Sequence, residues 1–266
     1  MSIEQEVKEI VKEKYGAIAQ QISSQKKSCC CGTREPLDFS IMAEDYTKLS
    51  GYSPEADLKL GCGIPTEYAN IKSGDTVVDL GSGAGNDAFV ARSIVGDTGR
   101  VIGIDMTEPM IEKARKNTNA LGFTNVEFQL GDIENIPVEE NIADVVISNC
   151  VMNLVPNKQQ AFSETFRILK HGGHFSISDI VLVGELPTDF KREAALYAGC
   201  VSGAVQQEEY LAVINNSGFK NIVVQKQRAI ELPEEILQQY LSKDKLEEFV
   251  RHKIGIFSIT VYAEKP

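Results

Sequence analysis

"TVVDLGSGAG", residues 76–85, passes without a break from apolar and β-branched residues into three glycines spaced two apart. A short apolar run of this kind, closed by glycine, reads as a buried strand. Gly81, Gly83 and Gly85 then open "NDAFVARSIVG", whose apolar spacing predicts a helix. A strand, a glycine turn and a helix in that order let the backbone turn sharply and let a nucleotide-type ligand lie close to it.

The rhythm repeats downstream. "RVIGIDMT" predicts a second strand, and "EPMIEKARKNTNALG" a helix with Pro109 in its first turn. "VEFQLGD" and "ADVVISNCV" predict the third and fourth strands, "NKQQAFSETFRILKHGG" a helix ending at its glycines, and "HFSISDIVL" the fifth strand. Strands alternating with helices imply a doubly wound, mostly parallel α/β sheet, because each right-handed crossover lays a helix on a sheet face. Ligands then bind at the carboxyl ends of the strands.

Upstream, Ile3, Val7, Ile10, Val11, Ile18 and Ile22 recur at helical spacing, so the chain starts with an amphipathic helix. Residues 23–40 have no period, and they carry Cys29, Cys30 and Cys31 together with Gly32 and Pro36, which marks a loop or arm. A helix is expected from Pro54 to Asn70, interrupted or ended near "GCGIP". Beyond Pro187 the pattern predicts helices over "TDFKREAALYAGC", "QEEYLAVINNSG" and "PEEILQQYLSKDKLEEFVRHK", and strands over "NIVVQKQRAI" and "FSITVYAEK" that complete the sheet. Three segments follow: an N-terminal helix and cysteine-bearing arm over 1–68, a nucleotide-type core over 69–184, and a segment with the last strands over 185–266.

Composition limits the partners. At 266 residues with 42% hydrophobic content the chain can fill a core without staples. A net charge of −11, with no Lys/Arg-rich run, repels phosphate backbones and argues against nucleic acid. The N-terminus is charged rather than a basic n-region followed by an apolar run, and no stretch reaches the about 18 apolar residues of a membrane span. A cytoplasmic setting without membrane attachment is the expectation, and there six cysteines stay reduced.

Three strand ends in succession carry adenosine-binding chemistry. Asp105 stands 24 residues after Gly81, where a carboxylate accepts both ribose hydroxyls, with Met106 beside it. Asp132 is placed to meet an adenine amino group and Ile133 to pack on the ring. A GxGxG loop preceded by Asp79 departs from the dinucleotide GxGxxG pattern, since an acidic residue there repels phosphate and suits an α-amino group.

The cysteine spacing is the other signal. No pair has CxxC spacing, and Cys62, Cys150 and Cys200 stand alone. A lone cysteine is most often a small buried hydrophobe. These three lie at strand or loop ends beside glycine or polar residues, and three thiolates brought together suit a soft, thiophilic centre. Their convergence on one site is the expectation. His171 and His174 flank a glycine turn and read as solvated or capping residues, while His252 lacks ligand spacing to any cysteine. Asn149 and Asn153 stand at the same edge, where asparagines either line a site or cap a turn.

"VVDLGSGAG", "GIDMT" and "GDI" in this order resemble the class I S-adenosylmethionine-dependent methyltransferases, which implies that fold and that methyl donor as co-substrate, with no metal cofactor. The contexts "CCCG", "GCGIP", "SNCVMNLVPNK", "GGHFSISDI" and "LYAGCVSGA" followed by "EEYL" narrow the resemblance to arsenite methyltransferases. That resemblance implies arsenite or its thiol conjugates as acceptor, bound through Cys62, Cys150 and Cys200, for arsenic detoxification. It also implies a disulfide exchange between Cys62 and one of Cys29, Cys30 or Cys31, with thioredoxin or glutathione as reductant. Asn86 departs from the larger or aromatic residue associated with close relatives. The competing reading is a carbon or oxygen methyltransferase acting on a quinone- or sterol-like molecule, since one fold serves many substrates.

Overall fold

The structure, a computed structural model, describes residues 3–24, 42–185, 201, 203–231 and 254–266. Seven strands form one sheet in the order β3-β2-β1-β4-β5-β7-β6. They are β1 (Thr76–Leu80), β2 (Arg100–Asp105), β3 (Val126–Leu130), β4 (Ala143–Asn149), β5 (Leu169–Val183), β6 (Lys220–Ala229) and β7 (Gly255–Glu264). The first five run parallel, and β7 inserts antiparallel between β5 and β6.

The helices are α1 (Ile3–Ser24), α2 (Asn86–Val95), α3 (Glu108–Leu121), α4 (Lys158–Ile168) and α5 (Gln207–Asn216). Because successive side chains of a strand point to opposite faces, each central strand feeds two cores. Val77, Val101, Val145 and Ile147 pack with Phe89 of α2 and Ile111 of α3. Val78, Ile102, Ile104 and Val146 pack with Phe162 of α4 and Tyr210 and Ile214 of α5. Both faces being covered explains why these strands read as unbroken apolar runs. In the second core Phe162 meets Tyr210 edge-on at 5.6 Å between ring centroids, and Phe175 meets Phe219 at 4.8 Å. Helix α1 lies outside both cores, against α3.

Two sequence expectations change. Residues 54–70 form turns and a short 3-10 helix (Pro65–Glu67) instead of an α-helix. Tertiary bonds replace helical ones there: Pro65 O accepts from Ser176 Oγ, and Ala69 O meets His174 Nε2. Helix α4 stops at Ile168 and β5 begins at Leu169, before the glycines, because the sheet edge claims that backbone through Gly172 N→Lys265 O and Lys265 N→Gly173 O. The helices expected over 188–200 and 233–253 lie outside the described residues.

Candidate active site

The parallel strands end at a cavity lined by Asp79, Gly81, Ser82, Gly83, Asn86, Asp87, Asp105, Met106, Asp132, Ile133 and Cys150. Gly81 N and Ser82 N both donate to Ile104 O, at 2.8 and 2.9 Å, which lays the glycine loop across the end of β2. Asp105 fastens the same loop: its Oδ2 accepts Gly83 N at 3.0 Å and its Oδ1 accepts Thr107 N at 2.8 Å. A Cβ on Gly83 would meet no protein atom within 4 Å, so that side of the loop faces open space. Gly85 plays a different part from its neighbours. It caps α2 at φ 100°, and a Cβ there would strike Phe89 and Phe128 at 2.8 and 2.9 Å.

Three of the carboxylates that line this cavity are raised by burial. Burial, then the charges of Asp87 and Asp105, push Asp79 well above the usual carboxylate range. Burial raises Asp87 to about 6 against the hydrogen bonds it accepts from Asn149 and Tyr46. Burial also raises Asp105, opposed by its bonds from Thr107 and Gly83. Asp79 Oδ2, Ser82 Oγ and Asn86 Oδ1 are buried without a hydrogen-bond partner. A concave site that is short of positive charge and has acceptors to spare fits a cationic ligand bearing an α-ammonium, as S-adenosylmethionine does.

Asp132, expected to meet adenine, is engaged from an unforeseen direction. Lys8 Nζ of α1 lies 2.6 Å from Asp132 Oδ2 and 2.6 Å from Glu134 Oε2, and Val11 and Tyr15 of α1 line the same cavity. The N-terminal helix therefore forms a wall of the cavity. Nothing in its periodicity reveals that placement.

Cys150 follows β4 directly and is buried. Its φ is 63°, a left-handed conformation that a side chain bearing a Cβ adopts at a cost of roughly 1 kcal/mol or more. The amide of Cys150 donates to Ser178 O at 2.8 Å, which holds the turn against β5.

Cys62 is buried in the turn Gly61–Gly63, and the two glycines explain how close that turn sits. A Cβ on Gly61 would lie 2.5 Å from Asn149 Nδ2, and one on Gly63 would lie 2.5 Å from Ser178 Oγ. Asn149 is the hub. Its Oδ1 accepts Cys62 N at 2.9 Å and Gly63 N at 3.3 Å, while its Nδ2 donates to Gly63 O, Tyr46 Oη and Asp87 Oδ2 at 2.8, 2.8 and 3.0 Å. The Tyr46 hydroxyl in turn donates to Gly63 O at 2.8 Å and Asp87 Oδ1 at 2.7 Å. One asparagine thus joins the turn that bears a thiol to a carboxylate of the cavity.

The turns bearing Cys62 and Cys150 therefore meet at one edge, both packed against Ser178. Burial, then the neighbouring Asp179 carboxylate, push the Tyr210 hydroxyl well above its usual range, and both thiols add to that rise. Cys200, Cys29, Cys30, Cys31 and His252 lie outside the described residues. The chain just past Cys200 does reach this edge: Val201 is buried, and a Cβ on Gly203 would lie 2.0 Å from Asn153 O. His171 and His174 bond to backbone carbonyls, Nδ1 with Pro266 O and Nε2 with Ala69 O.

Sequence reasoning did not single out Asp87, Tyr46, Arg228 or Ser258. Asp87 sits in the first turn of α2, where an acidic residue reads simply as a helix-dipole partner. Tyr46, Arg228 and Ser258 carry no motif, and only their long-range bonds identify them.

Residues 71–218 match the family described as methyltransferase domain. The arsenite methyltransferase of Halobacterium salinarum is 39% identical over 83% of this chain and 59% of its own length. That of Aquipseudomonas alcaligenes is 31% identical over 88% of this chain and 68% of its own length. Among solved structures, an arsenic(III) S-adenosylmethionine methyltransferase from Chlamydomonas reinhardtii superposes with a TM-score of 0.63 at 31% identity, covering 77% of this chain and 67% of that one. The chain belongs to the arsenite methyltransferase family and has its Rossmann-like class I fold. It spans about three-fifths of the length of the first curated relatives it matches, 59% of the Halobacterium protein and 58% of the human one.

Proposed function

We propose that this chain transfers a methyl group from S-adenosylmethionine to trivalent arsenic held by the thiolates of Cys62, Cys150 and Cys200. The observation that carries the reading is the edge where the Cys62 turn and Cys150 meet, with Cys150 opening onto a cavity rich in carboxylates. A thiophilic acceptor and a cationic donor each find matching chemistry there.

On this reading Asp79 and Asn86 hold the donor's α-amino group, the Gly81–Gly85 loop lets it lie close, Asp105 accepts the ribose hydroxyls with Met106 beside it, and Asp132 and Ile133 serve the adenine. The bound donor supplies an electrophilic methyl on a sulfonium. Arsenite exchanges its three hydroxyls for three thiols with release of three waters, the proton of each thiol leaving with a hydroxyl. The arsenic lone pair carries no proton, so no general base is needed, and transfer rests on in-line approach at roughly 3–3.5 Å. Asn149 sets that approach, because it holds the Cys62 turn and the Asp87 carboxylate together.

After transfer the arsenic is pentavalent. A thiolate of the N-terminal cluster, from Cys29, Cys30 or Cys31, attacks the Cys62 sulfur, the arsenic–sulfur bond breaks, and its electron pair returns arsenic to the trivalent state. The resulting disulfide is reduced by thioredoxin or glutathione. Detoxification of arsenic in the cytoplasm is the corresponding role, and among the described residues no helix is long and apolar enough to cross a membrane.

The test is single-turnover transfer of labelled methyl to arsenite by the wild type and by Cys62→Ser, Cys150→Ser and Cys200→Ser. Loss of transfer in each variant with donor binding retained supports the reading. A wild type that binds donor but methylates no arsenite overturns it and directs the search to carbon or oxygen acceptors.

A further inference from the structure

Cys62 is held at both ends of its peptide. Its amide is fixed by Asn149 from β4, and its carbonyl by two residues of the antiparallel extension. Ser258 Oγ of β7 donates to Cys62 O at 2.6 Å. Arg228 Nη2 of β6 donates to Met42 O at 2.6 Å and reaches Cys62 O at 3.4 Å. Arg228 and Ser258 are direct partners in the β6–β7 register, so both side chains leave the sheet on the face that covers the Cys62 turn. Glu44 stands beside the guanidinium, its Oε1 3.8 Å from Nε, and its Oε2 lies 2.6 Å from Lys226 Nζ. The neighbouring step of the sheet repeats the pattern: Thr260 Oγ1 bonds Ser178 Oγ at 2.8 Å, directly under Gly63.

We propose that Arg228 and Ser258 are positioning residues of the thiol site, which makes the β6–β7 extension part of the acceptor-binding machinery. This rests on the functional reading above. The bonds to its amide and its carbonyl fix the backbone on both sides of the Cys62 side chain. Arsenite then meets a turn that is already ordered, and capture does not have to offset the entropy of ordering it. Both carbonyls are met by the one Nη2, which the rigid guanidinium plane holds in orientation better than the flexible stem of a lysine would hold an ammonium.

Arsenite binding by equilibrium dialysis, with S-adenosylhomocysteine binding as the control ligand, separates the possibilities for the wild type, Arg228→Lys and Ser258→Ala. The expected result is an arsenite Kd raised about tenfold or more in both variants while the S-adenosylhomocysteine Kd stays within about twofold. Ser258→Ala removes one hydroxyl and keeps the strand's shape, so it reads the effect even where Arg228→Lys folds poorly. Unchanged arsenite affinity in Ser258→Ala overturns the proposal. So does equal weakening of both ligands together with a broadened unfolding transition, the signature of a merely structural role. A wild type that binds S-adenosylhomocysteine but no arsenite defeats the functional reading itself, and that outcome is distinct from both.

Discussion

Asn149 Oδ1 and the amide of Cys62 lie 2.9 Å apart although 87 residues separate them in the chain. The same asparagine bonds Asp87, so the Cys62 turn and a carboxylate of the cavity share one side chain. Asn149→Leu leaves the amides of Cys62 and Gly63 and the Asp87 carboxylate without their partner, at about 1–3 kcal/mol for each buried group left unpaired. A fall in unfolding free energy of at least about 2 kcal/mol is expected, with methyl transfer reduced at least about 100-fold because the thiol turn loses its register. Denaturant unfolding and single-turnover transfer on the same preparation measure the two effects.

Asp79→Asn is expected to move stability and binding in opposite directions. Asp79 is buried beside Asp87 and Asp105. Asparagine removes the cost of burying this carboxyl beside two others and raises the thermal midpoint of the ligand-free protein, while donor affinity drops because a cation-binding group is lost. Calorimetric titration with S-adenosylmethionine reads the second effect, and parallel losses in stability and affinity would count against the assignment.

Gly83→Ala addresses the loop. The position has φ 52°, so alanine costs about 1 kcal/mol of backbone strain, yet its methyl meets no protein atom. A stability loss of that size combined with at least about tenfold weaker donor binding shows that the open side of the loop is where the ligand lies. Donor affinity equal to that of the wild type would place the ligand elsewhere.

At Cys150 the backbone and the thiol make separable contributions. With φ 63°, Cys150→Gly releases roughly 1 kcal/mol of strain and loses a comparable amount of side-chain burial. Stability is therefore expected within about 1 kcal/mol of wild type, while arsenite methylation is abolished. A thermal melt and a transfer assay distinguish this outcome from a collapse of the fold.

Asp179 gives a pH signature. Burial raises it to about 7 although Ile180 N and the Tyr210 hydroxyl bond it, the latter at 3.0 Å. A carboxyl whose folded pKa exceeds its unfolded value, near 3.9, binds more protons folded than unfolded between those limits. Its contribution to stability therefore falls as pH rises from about 4 to about 7 and stays low above that, a change on the order of 3–4 kcal/mol at most. Asp179→Asn should flatten this slope in urea unfolding measured at several pH values. An unaltered slope would assign the titration to another group.

Much of the cavity's lining was legible in the sequence. The apolar runs, the loop Gly81–Gly85 and the acidic strand ends Asp105 and Asp132 all lie within or just after elements whose period shows directly, and a parallel sheet gathers its strand ends on one edge. Cys150 was legible for the same reason. The sequence predicts helix flanking the Cys62 turn, and the structure has none there, because this segment takes its order from Asn149, Ser258 and Arg228, residues 87, 196 and 166 positions away from Cys62. Helix α1 was legible as a helix, but its docking through Lys8 onto Asp132 and Glu134 was not.

By itself the sequence determined the strands of the sheet and the helices that pack on them, because burial period and glycine placement are local properties of the chain. Only the tertiary structure decided which polar groups share a site. Hydrogen bonds and buried charges depend on distances of about 3 Å between remote residues, and sequence spacing does not encode those distances.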